Sequence, residues 1–380
     1  MWNFIGLKRE GDCLTRNRPL DQKDVDILGA LDKLGGKTST EELSHTTGIP
    51  ARTVRYRLQK MRDGEILRPI RAFTHERKMG LGETILIVQT TPGSDTILEK
   101  MFEEISSIYF WCSTYGRYNG FIIYSLYSLT TPGVPRRLAE AFQKENLISD
   151  FYLFDLTDYE HKYGDFTFLN PKLGWQYDWN LWHKKIKKNL KSTTTKINTK
   201  CEENPPIFDF DIADYGLLRS YFDDAMVSQK DLAKQFSLSE TQVTKRIRRL
   251  ENAGLIKGYS SDFYPRDVMV DINLFLEIEE PVARIINNFY THPYIGSIIM
   301  ESRTRWGIRT GLPAEDIRGF LQGVDLMKPF LKSCVFQVNH RFTRGAKTHP
   351  YDLFNKDTHR WETPISDYID TISNIMAEHR

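Results

Sequence analysis

The sequence predicts an α+β chain in which a three-helix unit with a wing is followed by a βαββαβ unit, and the pair is then repeated. Three observations predict it. The stretch "TVRYRLQKMRDGEIL" from Thr53 aligns with "QVTKRIRRLENAGLI" from Gln242, matching Val54 with Val243, Leu58 with Ile247, Met61 with Leu250 and Ile66 with Leu255. Upstream, "LDQKDVDILGAL" from Leu20 answers "FDIADYGLLRSY" from Phe210, and both aspartates recur, Asp21 as Asp211 and Asp24 as Asp214. After each copy, apolar strands and helical patterns follow in the same order. A repeat of this length governs the fold before any single element is assigned.

In the first copy Val25, Leu28 and Leu31 share one face of a helix, and Glu41 to His45 form a short second helix before the turn "TTGI". The third helix starts near Pro50, with Val54, Leu58 and Met61 at i, i+4, i+7, the stripe of a helix docked on a core. In the second copy Ser239 with Gln242 three residues later forms a capping box. Gly64 and Gly254 mark the ends of the two third helices. "EILRPIRAF" and "GLIKGYSSDFY" then read as short strands and a turn, the wing of a helix-turn-helix.

Behind the first wing come "TILIVQT", a helix through Ile97, Met101 and Ile105, the strands "SIYFWCST" and "GFIIYSLYSL", the helix "PRRLAEAFQKE" and the strand "SDFYLFDL". Behind the second come "INLFLEIE", a helix from Val282 to Phe289, "GSIIME", "WGIRT", a helix from Pro313 to Leu321 and "SCVFQVNH". Ile272, Leu274, Leu276 and Ile278 alternate as in a sheet with one buried face. Each set reads as a four-stranded antiparallel sheet with helices on one face, the ferredoxin-like sandwich. The fold class is therefore two winged helix-turn-helix domains alternating with two ferredoxin-like βαββαβ domains.

The boundaries are an N-terminal arm at 1–19, the first winged unit at 20–78, the first sandwich at 79–158, a Trp/Lys-rich linker at 159–208, the second winged unit at 209–265, the second sandwich at 266–345 and a tail with a helix at 346–380. In the linker, Trp175, Trp179, Trp182 and Ile186 recur at helical spacing, the mark of a helix docked on a neighbouring domain, and Lys184, Lys185, Lys187 and Lys188 follow. A membrane-surface helix or a brush with DNA are the other readings of this stretch. "KSTTTKINTKCEENPP" reads as a flexible boundary. In the tail, Ile365, Ile369, Ile372 and Ile375 form a stripe for docking or dimer contact.

Composition, 40% hydrophobic and 27% charged, is that of a soluble globular protein. No apolar run approaches the ~20 residues of a membrane span, no signal peptide is legible at the start, and Cys13, Cys112, Cys201 and Cys334 are too scattered for a zinc site or a disulfide framework. The expectation is a cytoplasmic protein with reduced thiols, no metal and no cofactor.

The net charge is only +2, so the distribution of charge carries the argument. Pro50 to Lys78 holds nine Lys/Arg against three Asp/Glu, and Ser228 to Gly258 holds seven against three. With the apolar stripe inward, Arg52, Arg55, Tyr56 and Gln59 face outward, Lys60 and Arg62 flank them, and Arg68 and Arg71 lie on the wing. Their counterparts are Thr241, Thr244, Lys245, Arg248, Arg249 and Lys257. Phosphate contacts give affinity and base-edge contacts give choice, for which the arginine fork suits guanine. The plainer alternative is a solvated helix face. Two basic helices, each behind a short helix and a turn, favour double-stranded DNA.

With "LDQKDVDIL", the spacing to the third helix, and the closing "DGEI" and "AGLI", the chain resembles the Lrp/AsnC family of transcriptional regulators. The resemblance covers most of 20–157 and 209–345, as a tandem duplication of the family's usual unit. It implies a sequence-specific regulator, a sandwich domain that mediates dimerisation, and an amino acid or other small metabolite as effector near the turn between that domain's second and third strands. The family pattern there is a glycine followed three residues later by an acid. In "TYGRYNG" Gly116 matches and Asn119 replaces the acid, with Arg117 and Tyr118 between them. In "SRTRWG" Arg303 stands at the glycine and Trp306 at the acid, with Arg305 beside it. The fusion implies a pseudo-dimer within one chain, with a homodimer of chains as a further level.

Siroheme decarboxylases share this architecture, and the resemblance brings them in as the catalytic alternative. They carry a histidine-bearing stretch in the sandwich domain, whereas "WCSTYGRYNGF" and "MESRTRWGIRT" hold none. No H-E-x-x-H, G-x-x-x-x-G-K or G-x-S-x-G occurs. The expectation is a non-enzyme without catalytic residues. An architectural DNA binder or interaction scaffold without effector is the third reading.

Overall fold

The computed structural model of the chain describes residues 19–379, except 65, 264–268, 280, 340–344 and 347–349. The predicted N-terminal arm, save Pro19, and Cys13 lie outside the described residues. The chain opens with α1 (Gln22–Leu34), α2 (Thr40–Thr47) and α3 (Ala51–Asp63), followed by a single strand β1 (Leu67–Thr74). The first sandwich unit is β2 (Leu81–Thr90), α4 (Asp95–Glu104), β3 (Ile108–Gly116), β4 (Gly120–Ser128), α5 (Val134–Lys144) and β5 (Ile148–Leu156). An arm continues through β6 (Asp158–Lys162), the small hairpin β7 (Leu169–Asn170) and β8 (Gly174–Trp175), and α6 (Trp179–Leu190).

The second half repeats this order. It comprises α7 (Ile212–Asp223), α8 (Gln229–Phe236), α9 (Glu240–Asn252), β9 (Ile256–Phe263), β10 (Met269–Ile278), α10 (Ala283–Phe289), β11 (Gly296–Met300), β12 (Arg305–Pro313), α11 (Ile317–Met327) and β13 (Leu331–Asn339). Its arm is β14 (Gly345–Ala346), the hairpin β15 (Phe354–Asn355) and β16 (Arg360–Trp361), and α12 (Ile365–His379).

Each predicted wing is one strand rather than two. β1 pairs antiparallel with β9, placing Arg71 opposite Ser260 and Ala72 opposite Tyr259, so the halves share a single two-stranded ribbon. An isolated strand leaves one row of backbone donors and acceptors unpaired, and here each half satisfies the other's.

The two four-stranded sheets join into one path, β5-β2-β4-β3-β13-β10-β12-β11-β6. Only Thr157 separates β5 from β6, the strands at its two ends, so the sheet curls back on itself and the two halves face each other. The alternation predicted for β10 holds, but both faces are buried. Ile272, Leu274 and Leu276 lie under α6 and α11, while Phe275 points at Phe154 of the other sheet, with ring centroids 5.1 Å apart. Ile85, Ile87 and Ile122 meet Ile299 and Val335 in the same interior.

The arms cross over. α6, from the first half, lies on α10 and α11 of the second. α12, from the second half, lies on α4 and α5 of the first through Tyr368, Ile372 and Ile375. The stretch expected as a flexible boundary instead lies against α10 of the second half and against β6. Asn198 N donates to Asn287 Oδ1 at 2.7 Å, Lys200 N to Glu160 Oε2 at 3.0 Å and Glu202 N to Asp158 Oδ2 at 2.8 Å. Among the described residues no helix is long and apolar enough to cross a membrane.

Candidate nucleic-acid interface

Each third helix is held by the first helix of its own unit. Asp21 caps α1 and shares a capping box with Asp24, and Arg57 of α3 donates to Asp21 at 2.8 Å and to Asp24 Oδ1 at 2.9 Å. The second copy reproduces this. Asp211 and Asp214 form the box, and Arg246 of α9 donates to both, at 2.9 and 2.8 Å. Asp24 and Asp214 have no exposed surface, so each buried carboxylate requires its arginine. A second tie joins the middle and third helices. Arg55 reaches Thr40 and Glu41, and Thr244 donates to Gln229 at 2.7 Å from the equivalent place.

With Val54, Leu58 and Met61 buried, α3 turns Arg52, Arg55, Tyr56, Gln59, Lys60 and Arg62 to solvent. Tyr56 is 59% exposed, with Lys60 Nζ 5.1 Å from its ring centre. Gln59 bonds back to Asp63 at 2.7 Å. The Arg55–Glu41 pair is open to water on both sides, so breaking it to reach a base costs little. On α9, Val243, Ile247 and Leu250 are buried, and Thr241, Lys245 and Arg248 are exposed. The two readers thus share a clamp and differ in their outer surface.

Four of the predicted contacts sit differently. Lys257 turns inward, its ammonium held by Asp158 and the Tyr159 carbonyl, so it belongs to the joint between the halves and is corrected as a DNA contact. Arg249 is pulled onto Asp214 and lies 5.1 Å from the Phe208 ring centre, which leaves it half at the surface. Arg68 and Arg71 are half-buried on the shared ribbon rather than at the tip of a separate wing.

The predicted effector turns are filled from within. Gly116, Arg117, Tyr118 and Asn119 lie against β13: Arg117 N donates to the Phe336 carbonyl at 3.2 Å and Tyr118 N to Gln337 Oε1 at 3.0 Å. A Cβ on Gly116 would fall 2.2 Å from the Phe336 oxygen, which accounts for glycine there without a ligand. Asn119 N donates to Gln89 Oε1 at 2.9 Å. In the second half Trp306 is a core residue under the helices, Arg303 supplies its carbonyl to the Trp306 indole, and Arg305 crosses to Glu301, the Tyr152 hydroxyl and the Leu153 carbonyl. Arg305 and Trp306 are therefore corrected as effector ligands.

Sequence reading missed the clamps. Their signal was present: Arg57 and Arg246 occupy matching places in the aligned helices, as the two Asp pairs do.

A winged helix-turn-helix DNA-binding family profile matches residues 20–68 and, a second time, 210–257. The leucine-responsive regulatory proteins of Escherichia coli (strain K12) and Salmonella typhimurium are each 34% identical to the chain over 70 residues, 18% of the chain and 43% of the relative. The chain is an Lrp/AsnC-like winged helix-turn-helix protein. It spans less than half the length of those relatives. The Lrp/AsnC-like chain also aligns with the solved structure of the siroheme decarboxylase NirDL, covering 94% of this chain and 99% of that one, with TM-score 0.52 and 10% identity. This corrects the expectation of a non-enzyme, because the architecture that matches from end to end is that of an enzyme.

Proposed function

We propose that the chain is a transcriptional regulator of the Lrp/AsnC type that reads an asymmetric site on double-stranded DNA with α3 and α9. The observation that carries this reading is the pair of clamped helices, Arg57 on Asp21 and Asp24, and Arg246 on Asp211 and Asp214, each presenting a basic and unlike outer face. Arg52 and Arg55 take base edges in the first reader; the second has Thr241 and Thr244 in those places and offers Lys245 and Arg248 where the first has Tyr56 and Gln59. The test is a mobility-shift titration on selected and random duplexes. Affinity should fall by about a thousandfold or more between 50 and 200 mM salt if six to ten phosphates are neutralised. Arg55→Ala should cost about 1–3 kcal/mol on the selected site and relax one base position. A flat salt response, or equal loss on both duplexes, would refute the reading.

A second reading rests on the end-to-end match with NirDL, a siroheme decarboxylase. The interior between the sheets supports it with one group. Arg309 is 8% exposed, its guanidinium lies 4.8 Å from the Tyr124 ring centre, and it has no hydrogen-bond acceptor among the described residues. That is a cation available to an anionic substrate. Reconstitution with siroheme followed by absorbance and product mass tests it, since an unchanged spectrum would exclude the reading.

A further inference from the structure

The segment Trp179–Lys200 carries seven lysines and no acidic residue. The lysines of α6 and those that follow, Lys184, Lys185, Lys187, Lys188, Lys191, Lys196 and Lys200, are all exposed. None of them forms an ion pair among the described residues. This is a denser positive patch than either reader, in a chain whose net charge is +2.

The duplication supplies an internal control for what this helix needs in order to pack. α12 does for the first sheet what α6 does for the second, covering a helix pair with one apolar stripe. Yet α12 carries Asp367, Asp370 and Glu378 and no lysine or arginine. Lysines late in a helix do complement its dipole, but the equivalent helix docks without them. The packing role therefore does not account for the charge.

We propose that the lysine face of α6 is a second phosphate-backbone contact for duplex DNA, outside the two readers. The proposal rests on the DNA-binding reading above. α6 begins beside the first reader, where Phe166 enters that reader's core and lies 5.8 Å, ring centre to ring centre, from Trp175. From there its 12 residues run about 18 Å, long enough to follow a duplex that leaves the reader. A membrane surface fits less well. A helix lying on lipid inserts its apolar face, and here Trp182 and Ile186 are fully buried against the second half.

The test uses the full chain with Lys184, Lys185, Lys187 and Lys188 all changed to Gln. Binding is measured on a duplex of about 20 base pairs that holds only the readers' site, and on one extended by several helical turns of about 10 base pairs each. On the long duplex, the slope of log affinity against log salt should fall by about 0.9 for each phosphate no longer neutralised, so by about 3 to 4. Binding to the short duplex should be unchanged, while Arg52→Ala with Arg55→Ala should weaken both. Intact chain that binds both duplexes, with a lysine variant indistinguishable from it, would overturn the role of α6 alone. Intact chain that binds neither duplex would overturn the readers as well. A variant that loses only binding to phosphatidylserine vesicles would assign the face to lipid and overturn the proposal.

Discussion

Asp24 is a carboxylate with no exposed surface, and Arg57 is the cation it depends on. Removing one partner of a buried pair leaves the other charged and desolvated, so Arg57→Met should cost roughly 3 kcal/mol of stability, and Arg246→Met less, because Arg249 still pairs with Asp214. Chemical denaturation at neutral pH measures this. Burial alone would raise the Asp21 carboxyl, but the hydrogen bonds from Arg57 and the Asp24 N–H outweigh it and hold it below its ordinary value. The group binds its proton less readily folded than unfolded. Its contribution is complete above the unfolded value near 3.9 and is lost as pH falls through the lower folded value.

Lys162 works in the opposite direction. Burial pushes its ammonium down to about 7 despite Asp32 and Asp165, while Nζ donates to the carbonyls of His292 and Tyr294 at 2.7 and 2.6 Å. Between about pH 7 and 10 the unfolded chain holds a proton there that the folded chain has released, so stability should rise across that window. Lys162→Met should flatten the rise, as read from denaturation midpoints at pH 7, 8.5 and 10. Of these residue-scale features, the paired aspartates were legible as a repeat. Their arginines were not singled out, because a charge on an amphipathic helix looks the same whether it meets water or a buried carboxylate.

At the scale of the element, α6 is fitted to α11 through two glycines one turn apart. A Cβ on Gly323 would fall 1.9 Å from the Trp182 ring, and one on Gly319 2.3 Å from Trp179. Gly→Ala inside a helix ordinarily gains about 1 kcal/mol, but overpacking a full ring contact costs about 1–3 kcal/mol or more. Gly323→Ala should therefore lower the melting temperature and shift tryptophan emission to the red, whereas Gly133→Ala, where nothing lies within 4 Å, should do neither. The tryptophan stripe was legible in the sequence, but its dock was not, since periodicity names a buried face and not what buries it. The ribbon failed in the same way: "EILRPIRAF" reads as strand, yet its partner lies in the other half of the chain.

At the scale of the whole molecule, the halves are interlocked rather than joined end to end. The ribbon, the β3–β13 and β6–β11 pairings and the crossed arms all pass between them. A chain split among the exposed threonines Thr193–Thr195 should yield two fragments that copurify when expressed together and fail to fold alone. Independent cooperative melting of either fragment would contradict this. Because the readers are fixed to one body and differ in outer surface, the preferred DNA site should be non-palindromic, with half-sites about 10 base pairs apart or a multiple of that, as a footprint would show.

The interior between the two sheets has a further consequence. In a dimer of identical chains every substitution is made twice, and a residue near the axis must tolerate its own copy. Here the correspondence that sets Arg303 against Gly116 sets Arg309 against Ile122, so one sheet brings a cation where the other brings a hydrocarbon. Fusion has released this interface from self-complementarity. Each side is free to mutate against a partner that does not change with it, and the chain can hold Arg309 on one side of an interior where symmetry would have forced its copy onto the other.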